Sequence, residues 1–195
     1  FTDRETVDKV ERMKVSTCLN PLHTALAVFG CLLDFQLIAD EMKDEDLRQL
    51  VEVIGYKEGL PVVTDPKIIN PKDFIDTVFK AYEKSEELKT SDLKLIPLVF
   101  AGWLRYLLAV DDNGNAFELS PDPMLQSLSP VFSKIQLGET AEIEEIIRPI
   151  LKDKKIFGVD LYEVGLAEKV CGYFKEMLQG NGAVRETLKK YVWEK

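Results

Sequence analysis

Asn20-Pro-Leu-His23-Thr-Ala-Leu-Ala-Val-Phe-Gly30-Cys-Leu-Leu-Asp-Phe35 opens on an asparagine–proline pair and then runs apolar almost all round. Asparagine is a favoured helix N-cap and proline is tolerated at the first helical position, so the pair marks a helix start. A helix apolar on every side is a buried one, and Leu22 to Phe35 is therefore expected to form the central helix of the fold. Working outward, Val7, Val10 and Met13 give one apolar stripe to an otherwise charged first helix. Asp44 to Tyr56 reads as an amphipathic helix with Leu47, Leu50, Val51 and Ile54 on one face, ended by Gly59 and Pro61. A second Asn70-Pro71 pair opens a helix carrying Phe74, Ile75, Val78, Phe79 and Tyr82. Ser91-Asp92 begins another that runs through Trp103 to about Val110, with Pro97 near its start as a kink point. Asp111-Asp112-Asn113-Gly114 is a turn, with room for a short extended pair around it. Further amphipathic helices are expected at Pro123 to Ile135, Thr140 to Leu151, Tyr162 to Leu178 and Ala183 to Val192. No strand–helix alternation and no repeat is visible, so the chain is expected to be mainly α.

Of the 195 residues 46% are hydrophobic, enough for one good core. Net charge is −9, and the basic residues are scattered, which argues against nucleic acid and anionic membrane as partners. The apolar runs, Ala25 to Leu33 and Leu95 to Leu104, fall short of the roughly 20 residues a bilayer span needs. Cys18, Cys31 and Cys171 lack CxxC spacing and there is a single histidine, so no metal is expected, and three free thiols suit a reducing cytoplasm. No GxGxxG follows a strand, since Gly180-Asn181-Gly182 lies between two helices and lacks the third glycine, and no P-loop is present.

Lys14, Asn20 and His23 are three polar groups around the start of the central helix. Each has a plain structural reading: a solvated lysine, a helix cap and a satisfied core histidine. Together they also suit a dehydrogenase, which removes a hydroxyl proton as hydride leaves the same carbon and so needs a base beside oxygen-binding donors. A lysine destabilised by burial can be such a base, and an asparagine amide and a histidine N–H can be the donors. Asn20 and His23, three apart, share a helix face. Asn20 could do two jobs, its oxygen capping the helix while its NH₂ faces substrate.

Lys-(x)-Asn-x-x-His followed by Thr24-Ala-Leu-Ala-Val-Phe-Gly30 resembles the signature of the mannitol dehydrogenase family, the long-chain, zinc-independent polyol and hexuronate dehydrogenases. Further matches keep the family's order: Asn70-Pro71 with Ile75-Asp76-Thr77; Trp103-Leu-Arg105-Tyr106-Leu107; Asp112-x-Gly114; Asp122-Pro123-x-Leu125; and Ile156-Phe157-Gly158-x-Asp160-Leu161. The resemblance implies a multi-helical C-terminal domain of the 6-phosphogluconate dehydrogenase C-terminal-like type. It implies that residues 1–195 form one helical substrate-binding domain, with a Rossmann-type domain that binds NAD or NADP lying before Phe1. Lys14 would be the general base, Asn20 would polarise the reacting oxygen, His23 would orient the substrate, and Arg105 would grip distal hydroxyls or a carboxylate. The partners would be that cofactor domain and a small polyol or sugar acid of the mannitol/fructose or mannonate/fructuronate type. This chain alone would be inactive. The alternative is a non-catalytic helical interaction or dimerisation module.

The sequence departs from the family pattern in three places. Lys14 precedes Asn20 by six residues where the family has five, which would turn an α-helical side chain by ~100° unless a bulge or loop intervenes. Pro21-Leu22 replaces a small Gly-Ser type pair, and Val78 to Ala81, after Asp76-Thr77, offers only Lys80 where many members carry arginine.

Overall fold

A computed structural model describes residues 3–63 and 93–194, together with Pro66 and Pro71. The expected Asn70-Pro71 helix, Lys80 and the Ser91-Asp92 helix start lie outside the described residues, Pro71 excepted. Helix α1 (Arg4–Glu11) is capped by Asp3, whose carboxylate accepts the Thr6 amide. It runs without a break into a π-helical turn (Arg12–Leu19) and then α2 (Asn20–Leu32). Two short connections carry α3 (Ile38–Glu41) and α4 (Glu45–Val53), and a second π turn (Ile54–Gly59) ends in a 3₁₀ turn over Leu60–Val62. Beyond the undescribed segment come α5 (Leu95–Tyr106), α6 (Leu125–Phe132), α7 (Ile143–Leu151), α8 (Lys154–Phe157), α9 (Ala167–Met177) and α10 (Ala183–Val192). The extended structure among the described residues is a single antiparallel bridge, Val110 to Ala116, around the Asp-Asp-Asn-Gly turn.

The core is built on α5, which packs against α9 on one side and α2 on the other, with α4 and α10 closing the bundle. Phe29, Leu32, Leu47, Leu50, Leu98, Leu104, Phe174 and Leu188 are sealed inside it. Gly102 sets the α2–α5 approach, because a Cβ there would stand 3.0 Å from Phe29 Cζ and 3.1 Å from Val28 Cγ1. Pro97 lies in the first turn of α5, where a proline costs no ladder bond, and it ends up buried rather than marking a kink. By length and composition the continuous run Arg4–Leu32 passes as a candidate span, with an 18-residue window of mean hydropathy 1.3. Counting apolar runs alone missed it. Much of that window, 44%, is buried inside the fold, which accounts for its apolarity as core.

Two helix starts are capped by carboxylates from other elements. Glu58, on the second π turn and 4% exposed, accepts the amides of Lys94, Leu95 and Ile96 at 2.6, 2.6 and 2.7 Å at the start of α5. Burial pushes its carboxyl up, against the pull of those three donors and of Lys169. Asp112 accepts the Val184 and Arg185 amides at 2.9 and 3.0 Å, capping α10, while its own amide bonds Leu32 O at the end of α2. Gly114, at φ +89°, lies against Asn181, whose amide reaches Asn113 O at 2.8 Å. The turn thus clasps the ends of α2 and α10. Replacing Asp112 with alanine should cost about 2 kcal/mol, at the upper end for a lost cap because two amides, that of Val184 buried and that of Arg185 partly so, lose their acceptor. A denaturant midpoint that stays put would show that the clasp carries no such stability.

Glu41 is 5% exposed, and its Oε2 has no hydrogen-bond partner. Its carboxyl packs on Gly30, where any Cβ would collide with it, so the glycine lets α3 close on α2. Burial pushes this carboxyl above its ordinary value. A raised folded value means that the group's contribution is present below the unfolded value of ~4.3 and lost as pH rises through the folded one. Glu41→Met should therefore stabilise the fold by about 1 kcal/mol at pH 8 and by clearly less at pH 4. Urea unfolding at the two pH values checks this; a pH-independent difference would contradict it.

Candidate functional site

Asn20, His23, Thr24, Ala27 and Cys31 are all exposed, whereas Leu22, Ala25, Leu26, Val28, Phe29, Gly30 and Leu32 are buried. The exposed positions recur at helical spacing, so α2 keeps one open stripe of small and polar side chains over an apolar base. This corrects the expectation of a helix buried all round with His23 as a core residue. Isolated hydropathy cannot separate an alanine or cysteine facing solvent from one facing the core.

Asn20 does not cap α2. Its backbone is helical at φ −58° and ψ −41°, no side-chain cap bond forms, and its amide bonds Val15 O five residues back. The helix simply continues through it, so the expected double role is reduced to one: an exposed amide at the head of the open stripe.

Lys14 is partly buried within the first π turn. An i→i+5 ladder holds one more residue per turn than an α-helix, so six residues of it sweep about 1.4 turns, much as five α-helical residues do. The sixth residue between Lys14 and Asn20 is thus absorbed by widening the helix, in the manner of a bulge. Beneath this turn Met13, Cys18 and Tyr56 form a small separate core, and burial pushes the Cys18 thiol up to about 11. Cys31, at the far end of the stripe, is also held up, by burial and then by Glu41.

Arg105 lies elsewhere. It is 0% exposed, and its guanidinium donates to Met177 O at 3.3 Å, Val110 O at 2.6 Å and Asp111 O at 3.2 Å. Burial lowers its pKa, while the nearby Asp112 and Asp111 oppose the shift. Every nitrogen is spent on the backbone that joins α5, α9 and the clasp turn, so in the described fold the side chain acts as a brace. Tryptophan, arginine and tyrosine in one motif suggest a binding surface, yet here Trp103 packs edge-on against Phe157 and Tyr106 Oη accepts the Ser120 amide. Sequence reasoning also missed Glu58 and Glu41, and no local signal marks them: Glu41 stands in the charged run from Asp40 to Asp46, and Glu58 follows Lys57 before a glycine.

Gly180-Asn181-Gly182 is closed on the clasp turn through the Gly182 amide to Asp112 O at 2.8 Å, leaving no phosphate-binding loop there. Among the described residues no group of three or more His, Cys, Asp or Glu side chains could hold a metal. An open depression around Lys134, Gln136, Glu139, Thr140 and Ile146 includes none of Lys14, Asn20 and His23.

Residues 6–91 match the family described as the mannitol dehydrogenase C-terminal domain. A D-mannonate oxidoreductase of Thermotoga maritima is 47% identical over 98% of this chain and 41% of its own length. A mannitol 2-dehydrogenase of Pyricularia oryzae is 25% identical over 82% of this chain and 35% of its own. The chain therefore spans about two fifths of the length of the curated relatives it matches. A solved structure, Pseudomonas fluorescens mannitol 2-dehydrogenase in ternary complex with NAD and D-mannitol, superposes with a TM-score of 0.76 at 21% identity. It covers all of this chain and 42% of that one.

Proposed function

Since this chain belongs to the mannitol dehydrogenase family, as its C-terminal domain, we propose that it is the substrate-binding part of an NAD(P)-dependent oxidoreductase. The proposed reaction interconverts a sugar acid with its keto form, of the mannonate/fructuronate type; the 47% identity to a D-mannonate oxidoreductase favours this over a polyol. The observation that carries the reading is the open stripe on α2, headed by exposed Asn20 and His23, with Lys14 one widened turn away.

In this reading Lys14 takes the proton from the substrate hydroxyl during oxidation and returns it to the alkoxide during reduction. Asn20 donates from its amide to the same oxygen, and His23 holds the substrate in place from one turn further on. A nicotinamide supplies the hydride chemistry. The described residues offer it no phosphate loop, so a cofactor domain elsewhere in the full-length protein would carry it, seated over the stripe, where Thr24, Ala27 and Cys31 allow close approach. A cytoplasmic enzyme fits these parts. With Arg105 sealed inside, a carboxylate needs another cation.

The test is nicotinamide oxidation by the full-length gene product with fructuronate, tagaturonate and fructose, and with this chain alone as control. Turnover of fructuronate by the long protein and none by the chain is the expected result. A well-folded long protein that turns over none of the three would leave the helical interaction module as the better reading.

A further inference from the structure

We propose that the first π turn is the device that brings Lys14 round to the side of the helix that His23 occupies, and that Pro21 holds this turn open. The proposal rests on reading these three residues as the substrate site. Nine residues separate Lys14 from His23; in an unbroken α-helix that is ~2.5 turns, which puts the two side chains on opposite faces. With the Lys14–Asn20 stretch widened, the sweep falls to about 2.2 turns and the side chains come within roughly a quarter-turn of each other.

Three separate links across this turn have five-residue spacing. The Asn20 amide bonds Val15 O. Thr17 Oγ1 donates to Arg12 O at 3.3 Å. Cys18 Sγ lies 3.7 Å from Met13 Sδ, both side chains being buried. The backbone, a side chain and the core thus all follow the π period.

Pro21 supplies the cause. In an α ladder residue 21 would bond Thr17 O through its amide, but proline has none and its ring would press on that carbonyl. Widening the turn just before it removes the conflict, and Thr17 O faces Gly59 of the second π turn, 3.7 Å from where a Cβ would stand there. Pro21 and the sixth residue of the Lys14–Asn20 spacing are on this account a matched pair. Pro21 is a positioning residue that acts through the helix.

The test is a cycle of variants in the full-length gene product, followed by kcat and KM for the sugar substrates. Pro21→Ala keeps chain length but gives the ladder its amide, so the turn shifts toward α and Lys14 swings away. We expect kcat to fall at least ~10-fold with KM little changed. Deleting the exposed Ser16 in the same variant shortens the spacing to five, keeps Met13 and Cys18 on one face, and restores kcat to within about 5-fold of the parent. Deleting Thr17 as well turns Lys14 by ~100° and lowers kcat by about 10³, as Lys14→Ala does.

Unchanged kcat in Pro21→Ala overturns the proposal. So does a Ser16 deletion in the Pro21→Ala background that unfolds cooperatively yet stays as slow as Lys14→Ala. A second readout needs no turnover: hydrogen-bond couplings to the Asn20 amide should point to Val15 O in the parent chain and to Ser16 O in Pro21→Ala. A parent amide bonded to Ser16 O overturns the proposal as well. If the parent protein turns over no sugar, the substrate-site reading fails on that result, and the Asn20 amide still decides the register.

Discussion

Asn20→Ala and His23→Ala in the full-length gene product should each lower kcat/KM by about 10²–10³-fold, the first by removing a donor aimed at the developing oxyanion and the second by misplacing the substrate. Neither should move the unfolding midpoint by more than about 0.5 kcal/mol, because both side chains stand exposed on the open stripe of α2 and neither seals the core. The pairing of a large kinetic effect with a negligible stability effect separates a substrate site from a packing role. Steady-state kinetics with fructuronate and urea unfolding of the same preparations check it. Loss of stability without loss of turnover would mean that the stripe is merely the exposed side of a core helix.

Arg105→Ala should do the reverse, costing about 4 kcal/mol of stability and lowering the melting temperature by about 10 °C. The truncation takes the Arg105 donors from the carbonyls of Met177, Val110 and Asp111, of which Asp111 O keeps the Gly114 amide, and opens a cavity where a fully buried side chain stood. Arg105→Lys should rescue little, since one ammonium on a flexible stem cannot reach three carbonyls held by a planar fork. A substrate-gripping arginine would instead raise KM and leave the melting temperature alone. Calorimetry on Arg105→Ala and Arg105→Lys decides between these outcomes.

The two residue classes differ in how they could be read. Asn20 and His23 stand out because polar groups three apart at the head of an apolar run are a local pattern. Arg105 sits in an equally distinctive motif, yet its role depends on Met177, 72 residues away, and no local pattern reveals that. Glu58 and Asp112 are alike in this: each caps a helix far along the chain, so neither shows the short-range spacing by which a cap is recognised. Helix positions were legible to within a few residues for α4, α6, α7 and α10, where apolar periodicity and Gly or Pro breaks agree. Asn20 failed as a cap because Pro21 tolerates helix on both sides once the turn before it widens, and sequence rules place proline at a helix start by default.

By itself the sequence determined the all-helical class, the apolar faces that build the core, and the family signature from Lys14 to His23, because each depends on residues within a few turns of one another. Only the tertiary structure decided which side of α2 stays open, that Arg105 braces α5, α9 and the clasp turn, and how six residues come to do the work of five. These follow from the packing of α2 on α5, from carbonyls that converge from distant segments, and from a proline whose missing amide matters only when the neighbouring turn can widen against a second helix.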